Sequence, residues 1–351
     1  MAGAKRIRVS PDNGSNWYTL PGNQGELRNE AGQIVDTIFG QSFESNQPGL
    51  IVTDIMANGL FKGFAGYVAV LKQSSGAAVA MNDEATTLLS GKTYQITNAA
   101  HRIIDRATAI VVEDNATPVA ASNIESIDYL FGRVTFISSY TPTGPITITG
   151  AYRTTSVLAK GRSFNLTQTQ EPIDTSVYET VQANGGYKTW DYGLRTCSLE
   201  FGGVFDAAND YIAQLVARGE AIIDITPDGG GQEIFRGFFR PVTQSQQGNV
   251  GELEEETVNF NCSVPDTSKL LRPVGWVHAG ATTLNAGVRA SLDAWENGTT
   301  LDVQYLPNGE DGWEFEAIVA ECTLQNSLEG MNEFTLNYRI NAAAVEVSDQ
   351  V

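Results

Sequence analysis

The sequence predicts a mainly β fold: two β-sandwich units, each with one flanking α-helix, and a further small β-sandwich domain inserted between them. Three observations carry this. Apolar and polar residues alternate with period two over much of the chain, between turn dipeptides. Helical spacing occurs in only two places. The segments that follow those two places repeat one another.

Taken in order, the chain opens with Met1-Ala-Gly-Ala-Lys-Arg-Ile-Arg, which has positive charge but no apolar stretch behind it and so does not read as a secretory signal. Asp12-Asn13-Gly14 marks a turn. Two upstream stretches resemble each other, Ile34-Val35-Asp36-Thr37 and Ile173-Asp174-Thr175, and each leads through a polar, Gly-containing stretch into an apolar segment (60–71 and 194–204). Both read as long hairpins with extended loops, Val35–Phe61 and Asp174–Leu194. Strands are expected at Ala109–Glu113, Arg133–Ser138, Pro145–Tyr152 and Ser163–Thr169, with further short strands at Thr93–Ile96 and Ile124–Tyr129. Residues 76–155 thus hold enough short strands for a small sandwich of their own.

The first helix is expected from the cap Asp206 through Arg218, with Ala208, Ile212 and Leu215 on one face. The second runs from the cap Asn285 through Glu296, with Val288, Leu292 and Trp295 on one face. Each ends at a glycine, Gly219 and Gly298, placed for a left-handed C-terminal cap. After each comes a strand (Ala221–Thr226; Leu301–Leu306) and a turn, Pro227-Asp228-Gly229 or Pro307-Asn308-Gly309. Long strands at Glu233–Pro241 and Phe315–Leu324 follow, then Gln/Asn/Ser-rich bends at 244–251 and 325–330. Closing strands are expected at Thr257–Val264 and Glu333–Ile340, and Thr257-Val-Asn-Phe matches Thr335-Leu-Asn-Tyr.

Composition narrows the function. Forty-one acids against 22 bases give a net charge of −19 over 351 residues, which argues against gripping nucleic acid but suits a surface that DNA must slide past. No apolar run approaches the roughly 20 residues of a membrane helix. The three cysteines, Cys197, Cys262 and Cys322, are odd in number and widely spaced, so no disulfide framework or zinc site is indicated. Only two histidines exist, His101 and His278, and no nucleophile, phosphate-cradle or metal motif is found. Asp12-Asn-Gly-Ser-Asn and Asp114-Asn-Ala-Thr lack the full calcium ligand set and read as turns. The expectation is a protein that is not an enzyme and needs no cofactor. The acidic run Glu252-Leu-Glu254-Glu255-Glu256 reads first as a solvated loop, and second as acids that face a lumen or the contact between stacked rings.

The repeat, with Ala159-Lys-Gly-Arg-Ser-Phe-Asn-Leu before it, the polar stretch from Glu171-Pro-Ile-Asp-Thr175 to Tyr192, and Arg195–Val204, resembles the tail-tube proteins of long-tailed, non-contractile bacteriophages. The resemblance covers around two-thirds of the chain and implies a structural subunit that polymerises into stacked rings around an acidic channel for DNA ejection. It implies two tail-tube-type units per chain, hence three chains per pseudo-hexameric ring. The expected layout is nested: residues 1–75 and 270–345 form unit A around an intact unit B at 156–265, with the 76–155 domain outside and a tail at 346–351. The alternative layout is tandem with a swapped hairpin. Ring stacking would fall to the hairpin loops, including Asp36, Thr37, Asn46, Pro48, Asp174, Thr175, Asn184 and Gly185, with Lys5-Arg6-Ile-Arg8 docking on an acidic neighbour. The implied partners are further copies of the chain, other tail proteins (tape measure, terminator and tip) and passing DNA held without specific binding, with no membrane. The implied location is the virion tail, assembled in the cytoplasm of a bacterial host. A rival reading is a glycan- or receptor-binding protein of a tail tip or adhesin, with Trp190, Tyr192, Trp276, Trp295 and Trp313 as a sugar platform.

Overall fold

A computed structural model describes residues 6–35, 46–60, 70–157, 161–204, 215–217, 219–226, 233–248, 254–263, 272–278, 285–327 and 333–348. The protein is mainly β, as the alternation predicts. In chain order the first strands are β1 (Arg6–Ser10), β2 (Tyr18–Thr19), β3 (Gly22–Val35), β4 (Asn46–Leu60) and β5 (Val70–Ser90). The next are β6 (Thr93–Ile96), β7 (Val111–Asp114), β8 (Thr117–Pro118), β9 (Ile124–Asp128), β10 (Arg133–Phe136) and β11 (Ile146–Val157). Then come β12 (Gly161–Gln170), β13 (Ile173–Asp174), helix α1 (Tyr178–Ala183), β14 (Trp190–Asp191) and β15 (Arg195–Val204). The chain ends through β16 (Ala221–Thr226), β17 (Glu233–Gln247), β18 (Glu255–Cys262), β19 (Val274–His278), helix α2 (Ala286–Asn297), β20 (Leu301–Leu306), β21 (Asp311–Ser327), β22 (Glu333–Ile340) and β23 (Val345–Ser348).

Two series of antiparallel pairings organise these strands. One runs β3–β4–β22–β21–β20–β1, with β23 also on β21. The other runs β12–β15–β18–β17–β16–β5, with β19 also on β17. They join where β12 pairs with β21, Ser163 opposite Ser327 through Thr169 opposite Glu321. Beneath lies one apolar core, to which both series contribute, among others Val9, Ile55, Leu166, Leu199, Phe235, Phe260, Leu324 and Tyr338. Helix α2 closes it: Asn285 accepts hydrogen bonds from the Gly287 and Val288 amides, and Gly298 takes φ +69 at the other end. Val288, Leu292 and Trp295 are buried on its inner face.

A second core sits above β16 and β17. The strands order as β7–β11–β5–β6–β10–β9 around Ile96, Ile104, Leu130, Phe136 and Ile148, and Ile222 and Phe238 reach into it from below. Ile223 and Phe239 point into the first core instead. All six residues of β16 are buried, because the strand is covered on both faces. β5 and β11 run unbroken past residues 75 and 155, the expected limits of the inserted domain, and join the two layers.

Several expectations need correction. The Gln-rich bends at 244–251 and 325–330 are strand as far as Gln247 and Ser327, because a ladder needs backbone partners rather than apolar side chains, and β18, β22 and β12 supply them. Val35–Phe61 belongs to a hairpin as expected, but the strand takes up more of it: β4 begins at Asn46, with Asn46 and Pro48 opposite Val35 and Gln33, and residues 36–45 lie outside the described residues. Arg6–Arg8, expected to dock on a neighbour, lies in strand β1 paired with β20: Ile7 and Val9 alternate into the core and Arg6 is exposed. The tail at 346–351 is strand up to Ser348, paired with Asp311–Glu314. The first predicted helix lies mostly outside the described residues, where only Leu215 and Val216 appear helical.

Candidate assembly surfaces

The seam between β12 and β21 sets up a wide two-faced sheet. One row across it, Phe260–Leu199–Leu166–Leu324–Phe334, is apolar and buried. The next row, one residue along, reads Asn261–Ser198–Thr167–Thr323–Thr335–Asn58–Gln24. Its neighbour reads Thr243–Asn259–Glu200–Asn165–Gln325–Glu333. The period-two alternation thus becomes one apolar face and one Thr/Asn/Gln/Glu face continuous across the seam. On the polar face Asn337 Nδ2 donates to Glu321 (2.8 Å), Gln325 Nε2 to Glu333 (2.8 Å) and Asn259 Nδ2 to Thr243 (2.7 Å). Asp54 pairs with Arg339 at 2.6 Å; its burial nevertheless pushes its carboxyl up, against the pull of that guanidinium. A groove of about 460 Å³ crosses this face between Glu26, Arg28, Asp54, Thr169, Glu321 and Arg339.

The expected site residues fall in different places. Asp36, Thr37, Ile212 and Glu252 lie outside the described residues. Leu215 is half-buried. The acidic run does not act as one block: Glu254 is exposed, Glu255 meets Arg162 at 3.2 Å, and Glu256 is buried, accepting from Gln244 Nε2 at 2.8 Å. Strand alternation in β18 accounts for this, turning Glu255 and Glu256 to opposite faces.

Residues 171–194 form a small built unit rather than an open loop, with β13 and β14 paired and α1 between them. Asp174 accepts from Lys188 Nζ (2.7 Å) and the Ser176 amide (3.0 Å), which draw its carboxyl down to about 2. Thr175 donates to Thr189 at 3.2 Å, and Asn184 closes α1 before Gly185 and Gly186, both at positive φ. The unit leans on the other series of strands: the Ile51 amide donates to Gly186 O (2.9 Å), the Lys188 amide to Ile51 O (3.0 Å), and Tyr192 OH to Thr299 O (2.6 Å). Val177 and Tyr178 stand out from it, Tyr178 97% exposed. Sequence reasoning missed α1, a short helix without apolar periodicity. It also missed the β12–β21 seam, which joins segments far apart in the chain.

The aromatic residues do not form one platform. Trp276 and Trp295 are buried in the first core, and Trp276 Nε1 donates to Gln168. Trp190 is half-buried beneath the cations of Arg339 and Lys188, and Trp313 lies on β21. Among the described residues no group of three His, Cys, Asp or Glu side chains is placed to hold a metal ion. Asn115 and Ala116, at positive φ, make the tight turn between β7 and β8, while Asp114 accepts from Tyr140, Thr143 and Gly144. No helix among the described residues is long and apolar enough to cross a membrane.

No protein-family model matches the chain, and no curated protein matches it. Among solved structures it is similar to a chain in the tail of an empty gene transfer agent particle with C6 symmetry: 17% identity, 32% of this chain and 84% of that chain covered, TM-score 0.28. It is also similar to a chain of the native gene transfer agent virion, at 16% identity, with 32% and 85% covered and a TM-score of 0.28. Likeness at that TM-score does not define the fold of this chain.

Proposed function

We propose that this chain is a structural subunit of a phage-type tail tube. It carries two copies of the tube unit in a nested layout, so that three chains complete a ring of six units and rings stack around an acidic channel through which DNA passes without specific binding. The partners on this reading are further copies and other tail proteins.

The observation that carries it is the repetition of one pairing order with its irregularities in the same places. In both series the second strand of the hairpin pairs with the closing strand, and the long strand lies next to that. The hairpins share a register shift, between Gly22 and Gln24 and between Gly161 and Ser163. The long strands share another: Ala320 is skipped between Val319 and Glu321, and Val242 between Pro241 and Thr243. Bulges are specific backbone features, and two coinciding pairs favour duplication of one unit over chance similarity. The uninterrupted polar face, with Glu200, Glu321 and Glu333 on it, supplies the proposed channel wall, whose charge repels phosphate.

Electron microscopy of the purified protein over a range of concentration and salt tests this. Hollow tubes with three chains per ring are the expected result. Tubes with six chains per ring would remove the duplication, and protein that never forms rings or tubes at any concentration would count against the function.

A further inference from the structure

We infer that the free edge of β3 in one copy pairs with the free edge of β17 in a second copy, in antiparallel register. Glu26 then lies opposite Gln247, Leu27 opposite Gln246, Arg28 opposite Ser245, Asn29 opposite Gln244 and Glu30 opposite Thr243. This rests on the tube-subunit reading and names the contact that would join one chain to the next.

The internal seam is the template. β12 occupies the edge of β21 that continues beyond β20, from Glu321 to Ser327. By the shared bulges, β3 matches β12, with Glu26–Glu30 standing for Asn165–Thr169. β17 likewise matches β21, with Thr243–Gln247 standing for Glu321–Gln325. Each of these two counterparts lacks its neighbour among the described residues. β3 pairs only with β4, and beyond Phe239 β17 pairs only with β18. Among the described residues there is therefore one filled socket and, separately, the same socket and the same plug unfilled. Because plug and socket are different surfaces, the contact is heterologous and propagates until it closes a ring.

Side chains on the two edges agree with this occupant. Glu26, Arg28, Asn29 and Glu30 are exposed, as are Thr243, Ser245, Gln246 and Gln247. Thr243–Gln247 holds neither the charge nor the proline that usually guards an open edge. Thr243–Gln247 carries no charge, so Glu26, Arg28 and Glu30 meet no like charge across the pairing. The core-facing pairs would be Leu27 with Gln246 and Asn29 with Gln244, where the internal seam has Leu166 with Leu324. An amide-rich edge remains soluble in the free chain, whereas the apolar seam is buried on folding.

Disulfide trapping in the full chain tests the register. In a Cys262→Ser background, with Cys197 and Cys322 buried, R28C/S245C is oxidised at concentrations that favour assembly. R28C/Q247C, two residues out of register, is treated in parallel. Directly opposed positions meet disulfide geometry and diagonal ones do not, so the first pair should cross-link on the order of tenfold faster, giving covalent dimers and trimers. Equal rates, or rings visible by microscopy with no cross-linking from R28C/S245C, would overturn the inference and leave the tube reading standing. Absence of any self-association would overturn both.

Discussion

Leu166 and Leu324 lie opposite each other across the pairing of β12 with β21, both fully buried. They are 158 positions apart in the chain yet form the centre of the row that makes two series of strands one sheet.

Truncating either leucine should therefore act on the whole first core. For Leu324→Ala a loss of about 2–5 kcal/mol is expected, from lost burial and the cavity left behind. Denaturant unfolding with an unchanged slope and a lowered midpoint checks this.

Arg236 and Asp224 form a two-pronged ion pair (2.6 and 2.9 Å) on neighbouring strands β17 and β16, and Arg236 also donates to Leu130 O in the second layer. Both side chains are almost wholly buried. Asp224→Ala strands the guanidinium and should cost about 3–5 kcal/mol. Hydrogen exchange should show faster opening around Leu130 and Phe131, where the arginine reaches the second core.

Asn285 caps α2 through two backbone amides. Asn285→Ala should destabilise by about 1 kcal/mol, while Asn285→Asp retains the cap. Thermal unfolding of the two variants side by side separates capping from packing.

The pull of Lys188 and Ser176 gives a pH dependence. Asp174, lowered to about 2 in the folded chain, adds stability to the 171–194 unit that is fully present above the ordinary carboxylate range near 4. That contribution is lost as pH falls through about 2. The Asp174 carboxyl carbon, followed by NMR from pH 5 downward, should titrate about two units below a model aspartate. Lys188→Met should move it part of the way back toward the ordinary range, with the Ser176 hydrogen bonds still holding it low.

Burial makes the thiols of Cys197 and Cys322 hard to ionise. Neither should react with a thiol reagent until the protein unfolds.

By itself the sequence determined the local structure: strands where apolar residues alternate, turns such as Asp12-Asn13-Gly14, and α2 from its cap Asn285 to Gly298. Ala221–Thr226, Leu301–Leu306 and Glu333–Ile340 are strands over those same residues. These features depend on neighbours a few residues away, so they leave a period or a cap that can be read. Only the tertiary structure decided where the strands go. The Gln-rich stretch Gln244–Gln247 became strand because β18 offered a backbone ladder, although its side chains signal a bend. Ile222 and Ile223 are chemically alike, yet they enter different cores because a second layer covers β16 from above. The pairing of Leu166 with Leu324 leaves no mark in either segment, since any apolar strand face can meet any other. Which faces meet is settled by the burial available to the whole chain.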